Sequence, residues 1–256
     1  MTRAKLTAIG LRTVDTGESD RVVTLLSRER GKVAAFARAA RASRRRFGGA
    51  LEPFTLVAAE VRERPGAELL GLESVSALDA FGGIRGDLAR IACAAYAAEL
   101  SRELVRDHEP HDDLFDLLVA YLSALDAAPA RPAALRAFEL GALRAAGLLP
   151  RLDGCACCGE AVAPDRPLRL DPGFGGVLCA SCGPRASPAA PSLAAASAAA
   201  LVRLAEGGLA AAASEPLAPP AGREARDALA AFIEHHLGHR LAARRFLDEV
   251  ASVLGD

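Results

Sequence analysis

The sequence predicts an α+β protein: a small N-terminal β-barrel, then an α-helical domain carrying a cysteine-rich insert. Three observations carry this. Residues 1–80 are short apolar, β-branched runs cut by turn residues. From about residue 84 the apolar spacing lengthens from that of a strand to that of a helix. Five of the six cysteines fall within residues 155–182, in two C-x-x-C pairs plus one extra thiol.

The first two strands are KLTAIGLRTVD (5–15) and RVVTLLSRE (21–29), separated by the turn-rich TGESD. RGK at 30–32 reads as a tight hairpin into KVAAFARA (32–39). An arginine-rich segment follows, either an irregular connection or a single helical turn. PFTLVAAEVRER (53–64) and ELLGLESVSAL (68–78) form a last pair, joined at Pro65-Gly66. Five short strands with a longer excursion between the third and fourth predict a closed barrel of the OB-fold type, with an SH3-like barrel as the competitor.

Helices follow. GDLARIACAAYAAELSRELV (86–105) places Leu88, Ile91, Ala92, Ala95, Leu100 and Leu104 on one face. DDLFDLLVAYLSALDAA (112–128) opens on an aspartate suited to capping, and Pro129 and Pro132 end the run. ALRAFELGALRAAGLL (134–149) is a third helix. After the cysteines, SLAAASAAALVRLAEG (192–207) is a fourth, and residues 223–254 form one long helix or two divided near Gly238. The predicted organisation is a basic barrel domain at 1–80 and a helical domain at 81–256, with the insert at 151–186.

Within the insert, CACCG (155–159) and CASCG (179–183) give C-x₂-C-x₂₀-C-x₂-C when Cys155 and Cys158 form the first pair. Glycine after each pair allows the tight turn that aims backbone N–H groups at thiolate sulfurs. Cys155, Cys158, Cys179 and Cys182 around Zn²⁺ would complete a closed tetrahedral shell, so the ion is structural. Cys157 is then a spare thiol, and Cys93 a small core residue on an alanine-rich helix.

Charge is segregated. Residues 1–50 hold twelve Lys or Arg and four Asp or Glu, a net of +8; the chain totals -1, which leaves -9 for residues 51–256. The stretch RAARASRRRFGGALEPF (38–54) alone contains Arg38, Arg41, Arg44, Arg45 and Arg46. Such asymmetry points to a polyanion, nucleic acid or an anionic membrane. No apolar run in the sequence reads as approaching the roughly 20 residues of a spanning helix. Arg12 interrupts what would be a secretory core, so a cytoplasmic location and reduced thiols are expected.

Other chemistry finds little support. His235 and His239 have helical metal spacing but no evident third ligand. HEPH (108–111) does not match H-E-x-x-H, and neither a P-loop nor a G-x-S-x-G elbow is present. GFGG (173–176) suits a tight turn between the cysteine pairs. Asp15, Glu18, Asp20 and Glu29 are dispersed around turns instead of clustered for catalytic metals, so no enzyme is expected. With only Phe36, Phe47 and Phe54 among the first eighty residues, base stacking would be sparse and phosphate contacts dominant.

Several segments together resemble the RecO family of bacterial recombination mediators: residues 11–41, SRRRFGGALEPF (43–54), GFGGVLCASC (173–182) and HHLGHRLAARRFLDEV (235–250). They occur in the family's order and span nearly the whole chain. The resemblance implies an N-terminal OB fold, a helical C-terminal domain, and a Cys₄ zinc site on the four cysteines above. It implies single- and double-stranded DNA contact by Lys32, Arg38, Arg41, Arg44, Arg45 and Arg46. It further implies strand annealing and loading of RecA at gaps, with RecR and the C-terminal tail of single-stranded DNA-binding protein (SSB) as partners. Arg131, Arg136 and Arg144 are candidates for the tail's dock. One departure is Ala39, where the family's A-R-G-A-R run has glycine, so an altered turn is expected there. Two rival functions are a zinc-stabilised adaptor that recruits an acidic protein without binding DNA, and a nuclease.

Overall fold

A computed structural model of the chain describes residues 2–162, 166–214, 217 and 219–250, without the side chains of Arg44 and Arg45. It divides into two compact units, Met1–Ala128 and Pro129–Asp256. The first contains strands β1 (Thr2–Thr16), β2 (Asp20–Ser27), β3 (Gly31–Ala37), β4 (Leu56–Glu63) and β5 (Leu70–Asp79). They close in the order β1-β2-β3-β5-β4. The long first strand makes closure possible: its first half pairs with β4 and its second half with β2, with a register shift between Gly10 and Arg12. This is the OB arrangement, and the SH3-like alternative falls away.

Alternation builds the barrel core. Along β3 every second residue is buried, and Val33, Ala35 and Ala37 join Leu6, Val23, Leu25, Val57 and Leu72 inside. The connection after β3 is a single helical turn, α1 (Arg44–Phe47). Its Phe47 ring, 1% exposed, packs with Ala40, Ala50 and Leu51 into the barrel core. Burying that ring anchors the excursion, at roughly 2–3 kcal/mol for a fully buried aromatic.

Gly31 begins β3 with φ +65°, and a β-carbon there would collide with the Glu109 backbone carbonyl. Two independent constraints therefore require glycine at the predicted hairpin. Helices α2 (Leu88–Leu104) and α3 (Asp112–Ala127) belong to the same compact unit as the barrel. The predicted face of α2 needs correction. Leu88 is 60% exposed, while Ala89, Cys93, Tyr96 and Ala97 are buried. Asp87, whose side chain accepts from the Arg90 N–H, caps the helix.

The second unit packs α4 (Pro132–Ala145), α5 (Ala195–Ser214) and α6 (Ala221–Leu237), and includes α7 (Ala242–Glu249). Gly238, at φ +74°, ends α6 and divides the predicted C-terminal helix in two; its expected end at 251–254 lies outside the described residues. A second correction concerns α5. By length and composition it is apolar enough to span a membrane, contrary to the expectation that no run approaches that length. It bends at Gly208 and packs with α4 and α6, which suits a core helix of this unit. A three-stranded sheet carries the cysteine insert, with β6 (Leu168–Asp171) between β7 (Gly176–Leu178) and β8 (Ser192–Leu193).

Candidate nucleic-acid surface and metal centre

The arginine-rich connection is stitched to the β1–β2 turn. The Ala39 N–H donates to Asp20 Oδ1 at 2.6 Å and the Arg41 N–H to the Ser19 carbonyl at 3.0 Å. Arg41 Nη1 donates to the Glu18 carbonyl at 3.2 Å. Ala39 itself has φ +53°. The left-handed turn is thus kept without glycine, at a strain of about 1–2 kcal/mol. Arg46 donates to Ser43 Oγ and to the Arg38 carbonyl, and its guanidinium lies 4.9 Å from the Phe47 ring centre. Among the described residues, Arg38, Arg41 and Arg46 have no carboxylate within ion-pairing distance.

Several other cations of the barrel unit differ, although Arg12 and Arg64 likewise have no carboxylate within ion-pairing distance among the described residues. Arg3 pairs with Glu73 at 3.2 Å, Lys5 with Glu60 at 3.9 Å, and Arg30 with Glu63 at 2.9 Å. Arg21 reaches both Asp15 and Glu52, which with the hydrogen bonds they accept raises its pKa against the opposing effect of burial. Arg28 pairs with Asp116. Much of the positive charge counted in residues 1–50 is thus neutralised by the protein's own acids.

A cleft of about 710 Å³ opens on the barrel, with Arg38 and Arg46 on its wall beside Arg3, Arg62 and Arg64. Phe36 and Leu69 supply apolar surface within it. In the sequence, Arg62 and Arg64 are simply the end of the predicted strand 53–64. Their position against the Pro65-Gly66 turn was the available signal, since that turn delivers both to the barrel end.

In the second unit, the sulfurs of Cys155, Cys158, Cys179 and Cys182 lie within 4.8 Å of one another. The Cys158–Cys179 separation is 3.8 Å. A tetrahedron with metal–sulfur bonds of about 2.3 Å has edges of about 3.8 Å, so the donor set fits a closed S₄ site. Each knuckle turns back on itself: the Gly159 N–H donates to the Cys155 carbonyl at 2.9 Å and the Gly183 N–H to the Cys179 carbonyl at 2.7 Å. Gly159 uses a positive φ of 81°, whereas Gly183 is not among the positive-φ glycines. Burial would push the Cys155 thiol up, but N–H groups of Cys179, Cys158 and Cys157 aimed at its sulfur bring it down to about 6. Cys182 is pushed up, chiefly by a hydrogen bond with Cys157 and then by burial. Without a cation, four sulfurs this close cannot all ionise; a dication removes that conflict. Cys157 stands outside the four, its sulfur 2.9 Å from Arg185 Nη1. His235 and His239 join no metal-ligating cluster among the described residues.

Comparison with known proteins adds a decisive observation. The family model described as Recombination protein O N terminal matches residues 1–81, and that described as Recombination protein O C terminal matches residues 85–245. The chain belongs to the RecO family. It is 73% identical over 255 residues to the DNA repair protein RecO of Anaeromyxobacter dehalogenans (strain 2CP-1), covering 100% of both chains. The DNA repair protein RecO of Myxococcus xanthus is 47% identical over 243 residues, covering 95% of this chain and 96% of the relative. That of Geobacter sulfurreducens is 43% identical over 181 residues, covering 71% and 73%.

Against this RecO background, the structure sorts the residues that the resemblance singled out. Arg38 and Arg46 come together at one cleft, and Arg41 sits on the adjoining turn. The backbone of Arg44 and Arg45 lies in α1, and their side chains are outside the described ones. Lys32 stands apart: its Nζ donates to the Arg102 carbonyl at 2.8 Å and pairs with Asp107 at 3.1 Å. Of the three residues considered for a tail dock, Arg136 is excluded by burial, being 1% exposed and 2.9 Å from the equally buried Glu139. Arg131 donates to the Ala213 carbonyl, and Arg144 lines a hollow with Leu149, Val202 and Glu206.

Proposed function

We propose that this RecO-family chain is a non-enzymatic recombination mediator that binds DNA through the cationic end of its barrel. In this reading residues 1–80 grip the sugar–phosphate chain, and the protein anneals complementary strands. With RecR it helps load RecA onto SSB-coated single strands, in the cytoplasm. The observation that carries the reading is the contrast in charge pairing. Most barrel cations are matched by internal acids, but Arg38, Arg41 and Arg46, with Arg64 on the same cleft, are left for an external anion; Arg12 is the other barrel cation without an acid among the described residues. Arg44 and Arg45 extend the same segment. Lys32 would contact a strand only by giving up Asp107, so its role is secondary.

Phosphate contacts leave base edges free, which suits annealing: strand repulsion falls while pairing remains open. The four cysteines hold Zn²⁺ as a structural ion that fixes the two knuckles, because a closed S₄ shell leaves no position for a reacting water. The acidic SSB tail then needs basic groups beside an apolar hollow. Arg144 and Arg151, in a hollow with Leu149 and Val202 that Asp153 and Glu206 share, meet that need better than Arg136, which the core encloses.

The test is annealing of complementary SSB-coated oligonucleotides by the wild type and by R38A/R41A/R46A. The reading expects the variant to anneal at least about tenfold more slowly, since charge-assisted contacts are worth about 1.5–3 kcal/mol each before screening. A variant that anneals at the wild-type rate would overturn it. Binding of an acidic peptide but never of naked DNA would instead favour the adaptor.

A further inference from the structure

Among the described residues, the one acid lining the arginine cleft is Glu73. Its carboxylate divides between two arginines, with Oε2 at 3.2 Å from Arg3 Nε and Oε1 at 3.3 Å from Arg62 Nε. Glu73 and Arg62 are 26% and 34% exposed, so solvent screens that arm of the bridge only in part, whereas Arg3 is 79% exposed and its arm is readily given up. The match is imperfect. Arg62 Nε is shut off from water yet completes no hydrogen bond, despite the nearby carboxylate. A buried donor left in that condition is destabilising until a better-placed acceptor arrives.

A carboxylate and a phosphodiester present the same local pattern, two anionic oxygens on one central atom. Arg38, Arg46 and Arg64 line the same cleft, so an entering strand meets a field that a single acid only partly cancels. Phe36 and Leu69 offer apolar surface there, of the kind on which an unpaired base can rest. A duplex, whose bases are already stacked, cannot use that surface.

We propose that Glu73 is an internal stand-in for a strand phosphate. It occupies the Arg3–Arg62 pair in the free protein, and a phosphodiester of single-stranded DNA replaces it on binding. The exchange rests on the DNA-binding reading above and adds to it a built-in competitor. Its consequence is a restrained affinity: each binding event must displace an acid, which keeps the protein exchangeable along a strand.

The test uses the full-length chain and a fluorescein-labelled oligothymidylate, followed by anisotropy across a salt titration. E73Q keeps the shape and removes the charge. It is expected to tighten binding about fivefold at moderate salt, the size of one partly exposed ion pair. E73D, which retracts the charge without removing it, is expected to give a smaller gain. Glu109 is exposed and lies outside the cleft, so E109Q is a charge-matched control with a change of less than about twofold. In an R3A/R62A background the gain from E73Q should vanish. The proposal is overturned if E73Q binds no tighter than wild type, if E109Q gains as much, or if the gain survives R3A/R62A. Loss of binding in R38A/R41A/R46A with no response to E73Q removes the stand-in alone; a wild type that binds no oligothymidylate removes the DNA-binding reading with it.

Discussion

At the scale of single residues, backbone conformation and charge pairing decide the outcome. Ala39 adopts a left-handed conformation that its β-carbon disfavours, yet the turn is held by Asp20 and by hydrogen bonds to the Ala39 carbonyl. Ala39→Gly should relieve that strain and stabilise the barrel by about 0.5–1 kcal/mol, after subtracting glycine's entropy cost. A thermal melt checks this, with Tm expected to rise by about 2 °C. Gly31→Ala should do the reverse, costing about 2 kcal/mol or more, because strain and a backbone collision act together. Neither position is special by composition. The family's glycine at 39 pointed to a strained turn, but only the structure showed that alanine accepts it.

At the scale of elements, alternation made β3 legible, since its small apolar residues at 33, 35 and 37 face one way. The face of α2 was not. Alanine is so frequent there that the apolar pattern has almost no contrast, and the helix is buried around most of its circumference, while Leu88 at its first turn is exposed. The knuckle pairs were legible because C-x-x-C spacing fixes local geometry. On the proposed zinc assignment, the wild type should carry about one zinc per chain and Cys179→Ser below about 0.1, measured by metal analysis after desalting. Cys157→Ser should leave zinc in place, since that sulfur faces Arg185. In α4, the buried Arg136–Glu139 pair makes a further demand. Arg136→Ala should cost about 3–5 kcal/mol in urea unfolding by removing the cation opposite a buried carboxylate, whereas a surface arginine would cost little.

At the scale of the whole molecule, segregated charge was visible in the sequence, but its cancellation was not. Arg3, Arg30 and Lys5 find carboxylates at Glu73, Glu63 and Glu60, residues brought near only when β1 and β3 join β4 and β5 in the closed barrel. Linear counting therefore overstated the cationic surface and missed Arg62 and Arg64. What survives the pairing around the cleft is a shorter, more concentrated site at Arg38, Arg41 and Arg46, with the cleft beside two of them and Arg64 on its wall. The central claim is that these arginines neutralise phosphates directly. The most direct measurement is the dependence of single-strand affinity on salt, in wild type and in R38A/R41A/R46A. The log–log slope should become shallower by about 0.7 for each phosphate that is no longer neutralised, roughly 2 for the triple variant, with an unchanged melt and zinc content. An identical slope and affinity in the two proteins would contradict it.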